Sequence, residues 1–140
     1  MEHNLKQIFE RFASDATFMS GVSFGKGHIH DTFLIETSEK DKDDYILQRL
    51  NTNVFRKIPE LQSNIERITA HIRKKLTSVN DPDIKRECLT LIPSEDGSSW
   101  ITDDKGNCWR LYIFIRDHRS YDKVDSPAIA YEAGKAIGRF

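Results

Sequence analysis

The first third of the chain contains three short runs in which apolar and polar residues alternate. They cover residues 17–24, 29–36 and 45–50; Gly25-Lys26-Gly27 separates the first two, and a charged stretch separates the last two. A period of two is typical of β-strands, because successive side chains point to opposite faces of a sheet. The pattern predicts three strands linked by two turns, with the rest of the chain arranged around them.

Helical spacing of apolar residues occurs three times. The first stripe lies within residues 3–14, the second follows Pro59 and runs to about Leu76, and the third follows Ser126-Pro127 and reaches Phe140. Proline is favoured in the first turn of a helix, and serine before it is a good N-cap. The stripes consist of Leu5, Ile8, Phe9 and Phe12; of Leu61, Ile65, Ile68, Ile72 and Leu76; and of Ile129, Ala133, Ala136, Ile137 and Phe140.

Three further runs have the composition of strands, at residues 87–92, 98–102 and 108–115. The last carries bulky residues on both sides, so we expect it to be a central strand with Trp109, Leu111, Ile113 and Ile115 on one face. The order of elements predicts an α+β fold: an antiparallel sheet of about five to six strands, a long helix packed on it, and a helix near each end.

Composition narrows the class of protein. The 140 residues, 38% hydrophobic and 31% charged, suit one soluble domain with a real core. A net charge of -1 without a basic face argues against a nucleic-acid partner. The chain has no apolar run long enough for a membrane and no signal-peptide pattern, so we expect no membrane partner and a cytoplasmic location. In that compartment Cys88 and Cys108 are expected to be buried free thiols.

The glycine turn is the first candidate for chemistry. Gly25 and Gly27 allow close approach of the backbone, which can turn N–H groups onto phosphate oxygens. A bulged hairpin turn explains the same spacing equally well, and the dinucleotide fingerprint fails because His30 stands where its third glycine belongs. Asp31 could accept hydrogen bonds from sugar hydroxyls or could cap the turn. His28 and His30 lack a third ligand nearby, so we predict no metal site.

A cation and two glutamates form the second candidate. Arg49 lies on the third strand, and Glu60 and Glu66 lie on the long helix, off its apolar stripe. Both glutamates fit an ordinary solvated helix side. The functional interpretation is that one of them pairs with Arg49 and holds that cation against a nucleotide phosphate.

Five stretches, taken in order, resemble the aminoglycoside phosphotransferase and choline kinase superfamily, and within it the N-acetylhexosamine 1-kinase-like group. The resemblance covers nearly the whole chain after Met19. Its motifs are GHIHDTF at 27–33, ILQRLN at 46–51, NIERITAH at 64–71, WRLYIFI at 109–115 and AYEAGKAIGRF at 130–140. The individual motifs are short, and their shared order is what makes the resemblance specific.

The resemblance implies the N-terminal lobe of a kinase that transfers phosphate from ATP to the anomeric hydroxyl of a hexosamine. Residues 1–115 would form the nucleotide-binding lobe, 116–125 a connector, and 126–140 the first helix of a second lobe. The expected partners are a nucleotide, a sugar and the chain's own C-terminal lobe. Self-association through the last helix is a further possibility, because its apolar stripe needs a cover.

The resemblance also implies site residues. Gly25 and Gly27 would cover the triphosphate, and Arg49 would contact its phosphates. Glu66, or Glu60 as second choice, would orient that cation. The hinge that meets adenine would be Phe114-Ile115-Arg116, and His30 and Asp31 would face the substrate. The sequence departs from the family pattern in having arginine where many kinases have lysine, and His30 where asparagine is expected.

The catalytic aspartate and the Mg²⁺ ligands of such a kinase belong to the second lobe, so we expect no catalytic residue within these 140 residues and no transfer activity from them alone. Asp117-His118-Arg119 has the composition of a catalytic loop but lies in the connector, where we interpret it as linker. Two alternatives remain: a stand-alone α+β binding module, and a sulfatase-like hydrolase of mucin sugars, whose Cys-x-Pro-x-Arg nucleophile motif is missing from the sequence.

Overall fold

The structure is a computed structural model of the chain and describes residues 4–121 and 123–139. Within these ranges six strands form one antiparallel sheet accompanied by four helices, which confirms the predicted α+β fold. In chain order the elements are α1 (Leu5–Phe9), β1 (Phe18–Ser23), β2 (Asp31–Thr37), β3 (Tyr45–Leu50), α2 (Ile58–Ser78), α3 (Ile84–Glu87), β4 (Leu91–Ile92), β5 (Ile101–Thr102), β6 (Cys108–Ile113) and α4 (Pro127–Arg139).

The order of strands in the sheet is β1-β2-β3-β6-β4, and β5 pairs with the beginning of β6. The prediction that residues 108–115 form a central strand is therefore confirmed, although the strand ends at Ile113. In the β2–β3–β6 register, Arg49 lies opposite Asp31 and Trp109, whereas Gln48 lies opposite Thr32 and Arg110. Because directly opposite residues share a face and consecutive residues alternate, these two sets lie on opposite faces of the sheet.

One face of the sheet, here called the α1 face, holds the main core. Phe9 of α1 packs there with the fully buried side chains of Ile35, Leu47, Trp109 and Leu111. Burial of large side chains like these supplies about 1.5–3 kcal/mol each. Most of the α1 face is therefore occupied by the buried core.

The other face, here called the α2 face, is covered by α2 only in part. Leu50 and Cys108 of the sheet cluster with Ile58, and Gln62 is also buried. Further along the helix the predicted apolar stripe is at most partly buried, and Ile68 is 51% exposed. This leaves the part of the α2 face beyond the first turns of α2 free to border a groove.

Residues 87–92 depart from the predicted strand. The segment begins in α3, and only Leu91–Ile92 pair with β6. Between them the backbone runs along α2, where Arg73 Nη2 donates to the Leu89 carbonyl at 3.3 Å and to Thr90 Oγ1 at 2.7 Å. These contacts to a helix take the place of sheet pairing before residue 90, whereas the Thr90 carbonyl still accepts from the Ile113 N–H of β6.

The strand predicted over residues 98–102 is also shorter than expected. Only Ile101–Thr102 pair with β6. The Ser98 carbonyl instead accepts from the Ser94 backbone N–H at 2.8 Å and from Ser94 Oγ at 2.9 Å. The Ser98 carbonyl is therefore engaged in the turn at 94–98, whereas a longer strand would need it for pairing with β6.

The last helix begins as predicted, with Ser126 Oγ accepting from the Ile129 N–H at 3.4 Å. None of the described residues of α4 is buried, and Ile137 is 78% exposed. Arg139 forms an ion pair with Glu87 of α3 at 2.9 Å. Phe140, predicted to end the apolar stripe, lies outside the described residues.

Two expectations from composition concern these elements. Cys88 and Cys108 are both buried free thiols, as predicted. In the ranges 4–121 and 123–139, no helix combines the length and the apolar character that a membrane span requires.

Candidate functional site

A cavity of about 450 Å³ opens on the α2 face, between the glycine loop and the segment that follows β6. Its lining comes from three neighbouring strands and from both flanking loops. Strand and loop residues in the lining are Phe24, Thr32, Ile46, Tyr112, Phe114 and Ile115, and Arg86 of α3 and Leu89 after it also line the cavity. Its volume lies within the usual range for a small-molecule site, about 300–1,000 Å³.

Aromatic side chains hold the two flanking loops together at one side of the cavity. The rings of Phe24, before the glycine loop, and Phe114, after β6, meet edge to face with centroids 5.4 Å apart. The His118 ring contacts Phe114 at 5.4 Å and Phe24 at 6.5 Å. His118, which sequence analysis assigned to a linker, thus belongs to the wall of the cavity.

The backbone after β6 offers a donor, the Ile115 N–H, that has no acceptor among the described residues. Ile113 N–H donates to the Thr90 carbonyl at 3.0 Å, and Phe114 N–H donates to the Asp44 carbonyl at 2.8 Å. For the Ile115 N–H, the described residues provide no acceptor. The Ile115 carbonyl accepts from His118 Nδ1 at 2.5 Å. A donor at a cavity wall is available to a bound ligand.

Arg116, the third predicted hinge residue, makes its contacts within the protein. Its guanidinium pairs with Asp44 at 2.8 Å, and its carbonyl accepts from Arg86 Nη1 at 2.8 Å. Both contacts fix the connector against the body of the domain. Of the three predicted hinge residues, Phe114 and Ile115 line the cavity.

The glycine loop, residues 25–30, is largely open to solvent. Gly25 has a φ of +81°, and a Cβ placed on Gly25 or Gly27 would meet nothing within 4 Å. The Phe24 N–H donates to the Thr32 carbonyl at 2.8 Å, which closes the hairpin at its base. The positive φ explains the glycine at position 25, because side-chain-bearing residues rarely adopt it. A role for either glycine in phosphate binding stays a prediction.

His30 anchors the far end of the glycine loop. Its Nδ1 accepts from the Asn51 N–H at 3.0 Å, and its ring lies 5.2 Å from that of Phe55. Burial lowers the pKa of His30, and the nearby charge of Arg110 lowers it further, against the opposing effect of Asp31. The ring is therefore mainly neutral at pH 7, and its contact with substrate stays a prediction.

Arg49 and Asp31 lie beside a second, more polar cavity of about 280 Å³, at the end of the sheet that carries the glycine loop. Arg49 Nε donates to Asp31 Oδ2 at 2.7 Å, and a second guanidinium nitrogen also contacts that oxygen. Arg49 Nη1 donates to Asn107 Oδ1 at 3.3 Å. The cation predicted for phosphate and the carboxylate predicted for sugar thus pair with each other across β2 and β3.

The predicted pairing of Arg49 with Glu60 or Glu66 is wrong. Arg49 shares its face of the sheet with Trp109 and the α1 core, whereas α2 lies against the opposite face. Glu60 approaches Lys57 at 3.8 Å, and Glu66 is exposed. The physical reason is strand alternation: moving by one residue along β3 changes the face.

Arg110 of β6 is a cation on the α2 face of the sheet. Its Nε and Nη2 donate to Gln48 Oε1 at 3.0 and 2.5 Å, and its Nη1 donates to Gln62 Oε1 at 3.2 Å. Gln48 Nε2 in turn donates to Thr32 Oγ1 at 2.9 Å, and Gln62 Nε2 donates to the Ser99 carbonyl at 3.2 Å. The network joins β2, β3, β6 and α2.

Sequence analysis did not single out Thr32, Ile46, Gln48, Arg110 or Tyr112 as site residues. The alternation of β3 indicates part of this arrangement, because it places Ile46 and Gln48 on one face and Arg49 on the other. Which face borders a groove, however, depends on where α2 packs.

Comparison of the sequence with models of protein families finds no match.

Proposed function

We propose that this chain is the ATP-binding N-terminal lobe of a phosphotransferase, similar to sugar 1-kinases of the aminoglycoside phosphotransferase and choline kinase type. The observation that carries the proposal is the cavity between Phe24 and the 114–115 segment. A purine is flat and largely apolar, and its edge forms hydrogen bonds. Apolar walls with a backbone donor, the Ile115 N–H, suit such a base.

The chain's own residues have a limited part in the proposed reaction. They bind the base, exclude water from it and orient the phosphates along the α2 face. Transfer to an anomeric hydroxyl also needs bound Mg²⁺ to neutralise developing charge and a carboxylate to position the acceptor. The resemblance assigns both to a second lobe, so the proposal for residues 1–140 is nucleotide binding alone.

The proposal is tested by filling the cavity from β2. Thr32 borders the cavity, and Thr32→Trp should place an indole in the space of the base. We expect the affinity for adenosine, measured by calorimetry, to fall about tenfold or more, because the ring and the base exclude each other. Thr32→Val, which keeps the shape, should leave adenosine binding near the wild-type value.

A matched control is Thr102→Trp, since Thr102 is an exposed strand residue in β5 that does not line the cavity. It should leave adenosine affinity unchanged. If the wild-type chain binds neither adenosine nor ATP, the proposal is wrong and a stand-alone module of another kind is favoured. Equal loss in both tryptophan variants would also contradict it.

A further inference from the structure

The charge on Arg110 has no carboxylate partner in the described part of the chain. Its three hydrogen bonds end on the amide oxygens of Gln48 and Gln62, and no ion pair with an acidic group is formed there. Two other arginines behave differently: Arg49 pairs with Asp31, and Arg116 pairs with Asp44. Within the described residues Arg110 therefore has no ion pair, as is also true of Arg73 and of Arg86. Unlike them, Arg110 is bound by the side-chain amides of two glutamines.

Such an arrangement has an energetic cost. Removing a cation from water is unfavourable unless a counter-charge or several hydrogen bonds compensate. An amide oxygen orients a guanidinium but does not cancel its charge. Burial lowers the pKa of Arg110, which reports the same cost, although arginine keeps its proton at neutral pH.

The guanidinium also keeps unused donors. It carries five N–H groups in a planar fork, of which three are used by the two glutamines. The remaining donors suit oxygen atoms of an anion, since arginine and phosphate form charge-assisted hydrogen bonds. The two glutamines therefore fix the orientation of a cation that can still bind an anion.

The position of Arg110 relates it to the cavity. The pair Gln48 and Arg110 is the next same-face pair after Ile46 and Tyr112, which line the cavity. Same-face neighbours lie about 6.6–6.8 Å apart along a strand. Thr32 belongs to both groups, because it lines the cavity and accepts from Gln48. Arg110 therefore lies one same-face position beyond the lining residue Tyr112, on the side toward the end of the glycine loop.

We propose that Arg110 binds the phosphate groups of the nucleotide whose base occupies the cavity, and that Gln48 and Gln62 position its guanidinium without neutralising it. This inference rests on the proposed function and assigns the phosphate contact to Arg110 in place of Arg49. Arg49 is paired with Asp31 on the α1 face.

The test compares ATP with adenosine, without Mg²⁺, so that phosphate contacts are measured apart from base contacts. Gln48→Glu adds a carboxylate beside Arg110 with almost no change of shape, and the Thr32 hydroxyl can rotate to donate to it. We expect ATP affinity to fall about tenfold or more, with adenosine affinity unchanged, because the guanidinium becomes neutralised. Gln7→Glu, with the same charge change on exposed α1, should change neither affinity.

Arg110→Gln should likewise reduce the preference for ATP over adenosine, with its fold checked by circular dichroism. If Arg49→Gln lowers ATP affinity and Gln48→Glu does not, the inference is overturned and the assignment returns to Arg49. If Gln48→Glu weakens adenosine and ATP equally, Arg110 acts on the fold and the inference again fails, while the proposed function stands. A wild-type chain that binds neither ligand overturns both.

Discussion

At the scale of single residues, the position of a side chain within a strand decides its chemistry. Arg49 and Gln48 are neighbours in β3, yet one pairs with Asp31 on the α1 face and the other orients Arg110 on the α2 face. The resemblance pointed to the arginine because a third-strand cation is expected in kinases. The register of the sheet places Gln48 of β3 and Arg110 of β6 on the α2 face, and Arg49 on the α1 face.

A second residue, Asp103, shows how local hydrogen bonds hold the core. Its carboxylate accepts from Trp109 Nε1 at 2.9 Å and from the Asn107 and Lys105 N–H groups, each at 2.9 Å. Partial burial opposes ionisation, but these hydrogen bonds outweigh it and lower the pKa of Asp103 to about 2. The contribution to stability is thus fully present above the ordinary pKa, 3.8, and is lost as the pH falls toward about 2.

We therefore expect Asp103→Asn to lower the free energy of unfolding at pH 7 by about 1–2 kcal/mol, measured by urea denaturation. The difference from wild type should shrink as the pH is lowered from 4 to 2, since the wild-type carboxylate becomes protonated there. Asp104→Asn, at an exposed neighbouring position, is the control and should change stability little at any pH. A difference that stays constant with pH would contradict the assignment.

At the scale of elements, α1 can approach the sheet because β1 has glycine at position 21. A Cβ there would lie 2.8 Å from Leu5 Cδ1 and 3.1 Å from Ile35 Cδ1, which is closer than carbon atoms pack. The short helix α1 therefore depends on this missing side chain for its position over the core.

Gly21→Ala should lower the free energy of unfolding by about 1 kcal/mol, because Leu5 and Ile35 have to move. Gly134→Ala makes the same change in α4, where an added Cβ meets nothing within 4 Å. Alanine is the better helix former, so that variant should be more stable by about 0.5–1 kcal/mol. Thermal and urea unfolding of both variants check the contrast, and a Gly21→Ala protein as stable as wild type would show that α1 repacks freely.

At the scale of the whole molecule, the two faces of the sheet have different roles. The α1 face is closed by a core of large side chains, whereas the α2 face carries the apolar cavity and the Arg110 network. Helix α4 contacts this body through the Arg139–Glu87 ion pair, and none of its described residues is buried. The expectation that a neighbour covers that stripe, by self-association or by a second lobe, remains a prediction.

If the stripe mediates self-association, the sedimentation coefficient of the isolated chain should rise with concentration. Ile137→Asp, which puts a charge on the exposed stripe, should then shift the chain toward monomer, because burying an unpaired carboxylate is unfavourable. Ala128→Asp places the same charge on the opposite side of α4, by the 3.6-residue period of a helix. It should leave association unchanged, and equal effects of the two variants would argue against a stripe-mediated contact.

The sequence by itself determined most of the elements and their order, but it did not predict α3. Alternation located β1, β2, β3 and β6, helical spacing and capping located α2 and α4, and the bulk on both sides of residues 108–115 indicated a central strand. These signals are local, because the periods of strands and helices are set by backbone geometry. The assignment of the glycine loop and of Phe114-Ile115 to nucleotide binding stays a prediction.

Tertiary structure alone decided which residues meet in the site. Whether Gln48 or Arg49 faces the groove depends on the side of the sheet on which α2 packs, and no local pattern carries that information. The partner of Arg49 was misassigned for the same reason. The predicted strand near residue 88 is shortened by contacts to Arg73 of α2. The one near residue 98 is shortened by a local turn, in which Ser94 donates to the Ser98 carbonyl. Packing between distant segments fixes these choices, because it decides which backbone groups are buried and which side chains become neighbours.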